Sequence, residues 1–153
     1  MTTTIDALEI LTQRKSGSKT RYSSNAGRKK RVQRETPEQK ALIDWARLTV
    51  IKDRRIGDYL VHIPNEGLRG PLAQKEFKDL GGQAGYPDLS FDLPNKNYHG
   101  LKIEMKPKKA YKSTVSKLQQ GWIVRLNSVG YRAVVCYGFE EAQKEILDYM
   151  SDV

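Results

Sequence analysis

The stretch GYPDLSFDLPNKNYHGLKIEMKP, residues 85–107, decides the fold. In its second half Leu101, Ile103 and Met105 point one way and Lys102, Glu104 and Lys106 the other, the period of a β-strand. Pro107 closes this strand, since proline has no N–H to give a ladder. The first half, 86–92, reads as a second strand with Pro87 near its start, where a donor can be spared. LPNKNYHG between them is turn chemistry, so the two strands follow each other in hairpin-like fashion.

Outward from this pair the chain alternates helix and strand. Thr36-Pro37-Glu38-Gln39 is a helix start, with Thr36 as cap, Pro37 in the first helical position and Gln39 completing a capping box. Ala41, Leu42, Trp45 and Leu48 continue it as an apolar stripe, with Val50 and Ile51 at its far end. Residues 59–63 form a short strand before the turn-rich 64–72, and 72–80 a short helix stopped by Gly81-Gly82. Residues 113–129 are an amphipathic helix ended by Gly130. Apolar, β-branched 131–137 is a central strand containing Cys136, and 139–150 is a last helix. A further short helix is expected in 5–11. This order predicts an α/β fold, a central mixed β-sheet flanked by helices.

Charge is distributed unevenly. The 153 residues hold 27 Lys+Arg against 18 Asp+Glu, a net charge of +9. Residues 13–34 carry nine basic residues (Arg14, Lys15, Lys19, Arg21, Arg28, Lys29, Lys30, Arg31 and Arg34) and no acid, so the rest of the chain is neutral. With few apolar residues, this segment cannot offset its ordering entropy by burial. The expected organisation is a basic, largely disordered arm over 1–35 and a folded domain over 36–153. Such an arm suits a polyanion, because each neutralised phosphate releases counterions; a solubilising tail or a localisation address has the same composition. No apolar run approaches the length of a membrane helix. Residues 1–10 lack the features of a secretory signal, and a lone cysteine excludes an internal disulfide framework. A cytoplasmic, non-secreted protein is expected.

Between Lys96 and Arg132 one acid, Glu104, stands among nine basic residues. Glu104 and Lys106 share a strand face, and Asp88 lies on the preceding strand, so the two carboxylates can be neighbours. Adjacent carboxylates repel unless a cation sits between them or one is protonated. A hard divalent metal with oxygen ligands resolves the conflict, and would acidify a bound water for attack on phosphorus. Lys106 would supply positive charge to a phosphate oxygen or orient that water. Each fragment alone is common: Lys-x-Glu-x-Lys is an ordinary solvated strand face, Pro-Asp opens many turns, and Glu38 fits a helix's first turn through the macrodipole. Their order on a helix–strand–strand framework is what points to chemistry.

Asp88 followed sixteen residues later by Glu104-Met105-Lys106 resembles the PD-(D/E)XK nuclease signature. The stretches HIPNEG (62–67), GGQAGYPDL (81–89), KIEMK (102–106) and QQGWIVRLNSVGYRAVVC (119–136) are similar to its virus-type replication-repair nuclease (VRR-NUC) branch. The resemblance implies a PD-(D/E)XK, restriction-endonuclease-like core. It implies a Mg2+- or Mn2+-dependent endonuclease, selective for branched DNA such as flaps or Holliday junctions, in phage or viral replication, recombination or repair. It further implies a homodimer, located in the host cytoplasm if viral. On this reading Asp88, Glu104 and the Met105 carbonyl hold the metal and Lys106 is the catalytic lysine. Glu38 completes the site through water or a second metal, and Gln119 hydrogen-bonds near Lys106 or the attacking water. Lys108, Lys109, Lys112 and Lys117, with Arg28, Lys29, Lys30 and Arg31 of the arm, would bind DNA. Trp122, on the apolar helix face, is read as core packing, and His62 as a satisfied strand residue. Two rivals remain at this stage: a non-catalytic basic nucleic-acid-binding module, and an RNA-directed nuclease with the same site.

Overall fold

The apolar stripe after Pro37 forms α1 (Glu35–Leu48), with Leu42 and Ala46 fully buried. The computed structural model describes residues 35–65 and 70–153, with side chains from Pro37 onward, all within a unit spanning Gln33–Val153. The basic segment 13–34 and the 5–11 helix lie outside what is described, and Thr36, expected as the cap before Pro37, falls inside α1, whose first residue is Glu35.

Val50 and Ile51 do not extend α1. They form β1 (Val50–Ile51), paired antiparallel with β2 (Arg54–Arg55). Lys52 and Asp53 turn the corner at φ 48° and 62°. A turn with both central residues at positive φ matches the twist of a tight hairpin, but it is usually announced by Asn or Gly. Lys-Asp hides it. A 3-10 turn (Ile56–Asp58) buries Ile56 and leads into β3 (Leu60–His62). Next come α2 (Pro71–Asp79), which buries no residue, and β4 (Leu89–Phe91). The chain ends with β5 (Leu101–Lys106), α3 (Lys117–Ser128), β6 (Arg132–Tyr137) and α4 (Phe139–Ser151). None of the described helices is long and apolar enough to cross a membrane.

The main sheet has the order β3-β4-β5-β6. β3, β4 and β5 run antiparallel, while β6 lies parallel to β5 across the α3 crossover. β6, expected to be central, is therefore an edge strand of this sheet, and β5 is an inner one. The apolar sequence of β6 reflects burial by helices, as in any parallel crossover unit. The core fills one sheet face. Leu101, Ile103, Met105, Leu89 and Phe91 meet Leu42 and Ala46 of α1 and Ala142, Ile146 and Met150 of α4. Each such Leu, Ile, Phe or Met side chain contributes roughly 1.5–3 kcal/mol on leaving water, and an alanine methyl about 0.8 kcal/mol. The opposite face is polar yet also buried: Ser90, Lys102, Glu104 and Lys106 are all inaccessible. β5 is thus covered on both sides, and its charged residues are not a solvated face.

Candidate active site

The polar face is organised around a broken ladder. β4 and β5 pair through Leu89↔Ile103, so two residues further on Pro87 would stand opposite Met105. Pro87 has no N–H to give the Met105 carbonyl, and β4 stops. The Met105 N–H donates instead to Asp88 Oδ2 at 2.8 Å. A strand residue presents N–H and C=O to the same side, so the Met105 carbonyl faces the gap beside Asp88. The Asp88 backbone is fixed from β3, with its carbonyl accepting from Ile63 N at 2.7 Å. Asn65 Nδ2 donates to the Tyr86 carbonyl at 2.9 Å and holds the approach to it.

Glu104 Oε1 lies 2.9 Å from Lys106 Nζ. The two residues are 1% and 5% exposed, and Asp88 and Gln119 are each 6% exposed. A buried pair of this kind contributes little net stability, because desolvation offsets the attraction. Gln119 ties the pair to α3. Ser116 caps that helix, and Gln119 closes a capping box in which its Oε1 accepts from Ser116 N at 2.8 Å. The other end of the same amide, Nε2, donates to Glu104 Oε1. One side chain therefore ends the helix and orients the carboxylate.

Gly85 lets this arrangement close. It sits at φ 78°, and a Cβ there would lie 2.8–2.9 Å from Leu118 Cβ, the Leu118 carbonyl carbon and Gln119 N. Only glycine tolerates both that φ and that approach.

Asp88, Glu104, Lys106 and Gln119 are thus brought together as the sequence implied, although Gln119 bonds Glu104. Glu38 is elsewhere. Its Oε2 accepts from Phe139 N, 2.9 Å, at the start of α4, and its Oε1 lies 3.8 Å from Lys108 Nζ. Among the described residues no group of three or more His, Cys, Asp or Glu side chains is placed to hold a metal directly, and the contacts of Glu38 run to α4 and Lys108. A divalent cation here would draw on Asp88, Glu104 and the Met105 carbonyl. Two carboxylates and a carbonyl are hard oxygen donors, the kind magnesium and manganese take while keeping places for water and phosphate. The residues present fit such an ion.

Lys108 and Lys109 are engaged with the first turn of α4. Lys108 Nζ lies 2.9 Å from Glu140 and Lys109 Nζ 3.0 Å from Glu141. The hydrogen bond that Lys108 donates to Glu140 raises the Lys108 pKa, and the charges of Glu140 and Glu38 add to it. Lys112 and Lys117 are exposed, and Arg28, Lys29, Lys30 and Arg31 lie outside the described residues.

Two features escaped the sequence reading. His62 Nδ1 lies 2.7 Å from Gln39 Nε2 and 3.1 Å from the Asp88 carbonyl, linking α1 to the site strand. The helical phase of Gln39 was its only signal. Trp122 is not in the main core: it packs edge-on to Tyr86, 5.0 Å between centroids, beneath Arg125.

A second polar group lies two residues back along β5. Lys102 Nζ reaches Ser90 Oγ and, at 3.0 Å, Asp92 Oδ1. Burial alone would raise the Asp92 pKa, but hydrogen bonds from Ser90 and Lys102 and the Lys102 charge outweigh it and hold the carboxyl below its ordinary value. Cys136 is buried, and burial pushes its thiol up to about 12, with Glu145 and Glu141 adding to the effect.

Residues 20–140 match the family model for the VRR-NUC domain. A solved structure described as a VRR_NUC domain protein shares 33% identity, aligning over 78% of this chain and 89% of its own, with a TM-score of 0.65. No curated protein matches. The mixed four-stranded sheet flanked by helices is a PD-(D/E)XK-like core, and the chain belongs to the VRR-NUC family of nuclease-type domains.

Proposed function

We propose that this chain is a metal-dependent endonuclease that hydrolyses phosphodiester bonds in branched DNA, acting as a homodimer. The observation that carries the catalytic reading is the buried Glu104–Lys106 pair beside Asp88, where Pro87 ends the ladder and turns the Met105 carbonyl toward the same gap. A structural ion pair gains little from such burial. A centre that must neutralise phosphate in a low-dielectric pocket gains much.

Asp88, Glu104 and the Met105 carbonyl would hold Mg2+ or Mn2+. Such an ion supplies Lewis-acid polarisation of a phosphoryl oxygen and acidifies water. Lys106 binds a non-bridging phosphate oxygen and stabilises the charge that develops on it as the bond to the leaving oxygen lengthens. Glu104 keeps Lys106 in place until substrate arrives, and Gln119 keeps Glu104 from rotating away. Lys112 and Lys117 meet the flanking backbone, and Lys108 and Lys109 join them by exchanging exposed carboxylate partners, a swap of small cost. Residues 13–34 act as an affinity arm for the same backbone, supported by their nine positive charges without an acid. The branched substrate and the homodimer rest on the family resemblance.

The test is a cleavage panel of linear, nicked, flapped and four-way DNA, with matched RNA, in Mg2+ and in Mn2+. Metal-dependent cutting of the flapped or four-way DNA supports the proposal. Binding without cleavage in either metal defeats it in favour of a binding module, and cleavage of RNA alone reassigns the substrate.

A further inference from the structure

Trp122 and Tyr86 form an aromatic pair that the core does not need. The main core includes Trp45 among the residues packed against it, but neither Trp122 nor Tyr86. Both are half-buried. Their place in the chain is telling. Tyr86 is two residues before Asp88, and Trp122 is one helical turn past Gln119 on α3. The Gly85 approach to the first turn of α3 presses the two segments together. The ring pair therefore flanks the carboxylates at the rim of the site.

The indole face is covered by a movable group. The Arg125 guanidinium lies 4.4 Å from the Trp122 ring centroid, and Arg125 is exposed. Planar guanidinium over indole is a modest attraction at an exposed site, about 0.5–1 kcal/mol. It leaves readily for a better partner. The electrostatic surroundings point to one kind of partner, since no Asp or Glu occurs between Glu104 and Glu140 while Lys108, Lys109, Lys112, Lys117 and Arg125 do. An aromatic face with an arginine, in a segment free of acids, has the composition of a single-strand stacking platform.

We infer that the Tyr86–Trp122 pair stacks an unpaired nucleobase of the substrate strand next to the scissile phosphate, with Arg125 swinging off the indole onto the adjoining phosphate. This deepens the proposed function and rests on it for the position of the scissile phosphate, but base stacking itself needs no metal. It also gives a site on this chain that prefers a strand with an unpaired base, as found at a branch.

The test uses the full-length protein and single-stranded oligonucleotides carrying 2-aminopurine at successive positions, in EDTA so that nothing is cut. The wild type should quench the probe at one position. Trp122→Ala should remove the quench and weaken binding about fivefold to a hundredfold, while Trp122→Phe should keep most of both. Arg125→Gln should keep the quench and reduce the slope of log affinity against log salt by about 0.7, one phosphate contact on a single strand. Wild-type protein that binds only duplex, or shows no position-specific quench, overturns the inference. So does Trp122→Ala binding and quenching as the wild type does. If Trp122→Ala fails to fold, Trp122→Phe and Arg125→Gln decide: loss of the quench in the former or an unchanged salt slope in the latter overturns it. A wild type that quenches but never cuts in Mg2+ or Mn2+ defeats the nuclease reading and leaves this one standing. A wild type that cuts without quenching does the reverse.

Discussion

Glu38 separates a structural role from a catalytic one. Its carboxylate accepts the Phe139 N–H, the first of α4, at 2.9 Å. Gly138 precedes that helix at φ 84° and has no side chain to cap it, so Glu38 provides from α1 what the local sequence lacks. The bond is charge-assisted and the side chain 23% exposed, so its loss should cost about 1.5–2 kcal/mol, below the buried limit. For a unit of about 120 residues, with an unfolding entropy of about 2.1 cal/mol/K per residue, this lowers Tm by about 6–8 °C. Glu38→Ala should show that loss. Glu38→Gln keeps an acceptor and loses only the charge–dipole part, so its melting point should fall by about 2–4 °C. If Glu38 serves α4 and not the metal, Glu38→Gln also cuts DNA within a fewfold of wild type. Differential scanning calorimetry and single-turnover cleavage on the same samples check both. A Glu38→Ala protein that melts as the wild type does refutes the capping argument. A Glu38→Gln protein with normal stability and a rate lowered by orders of magnitude returns Glu38 to the metal site.

Other outcomes follow from the same geometry. Gln119→Leu removes both ends of the bridging amide and should cost about 2–3 kcal/mol, read by urea denaturation at pH 7. Gln119→Glu keeps the cap acceptor but sets a carboxylate against Glu104, so the introduced carboxyl titrates higher folded than unfolded. The variant should match wild type near pH 4 and lose stability as pH rises, whereas a deficit that does not change with pH argues against the contact. The Asp92 carboxyl is held below its ordinary value, so its contribution is complete above about pH 4, the unfolded value, and fades as pH falls through the folded value. With 58% of its side chain exposed, Asp92→Asn should lose about 1 kcal/mol or less at pH 6, and that gap should shrink in acid-series melts. Cys136 should resist thiol reagents at pH 8 and react only on unfolding, because its thiol titrates at about 12; fast labelling of folded protein would show that the strand opens locally.

Alternation in 100–106 announced β5 because all its apolar side chains fall on the core face, although the structure buries both faces, and helical periodicity announced α1, α3 and α4 because each buries one consistent stripe. The Glu104–Lys106 pairing was legible from strand parity, but Asp88, expected within a strand over 86–92, lies just before β4, because Pro87 cannot donate to β5 and the ladder ends at Leu89. What sequence could not show came from long-range or unusual local geometry. The β1–β2 hairpin turns on Lys52 and Asp53, which carry positive φ without a glycine or asparagine to declare it. Glu38 meets Phe139 across 101 residues, a contact no local pattern encodes. β6 looked central because helices cover it, although pairing leaves it at the edge. Trp122 looked like core because helical phase says which residues share a face, not what covers them.

The most direct test of the central claim is the single-turnover cleavage rate of Asp88→Asn on four-way DNA. Asparagine keeps an oxygen to accept the Met105 N–H, so the ladder break and the fold survive, while the charge that would hold the cation is gone. The account predicts a loss of at least about a hundredfold in both Mg2+ and Mn2+, with unchanged melting and with DNA binding equal to or tighter than wild type. Cleavage within about tenfold of wild type in either metal, with normal folding, would contradict a phosphodiesterase centre built on Asp88, Glu104 and Lys106.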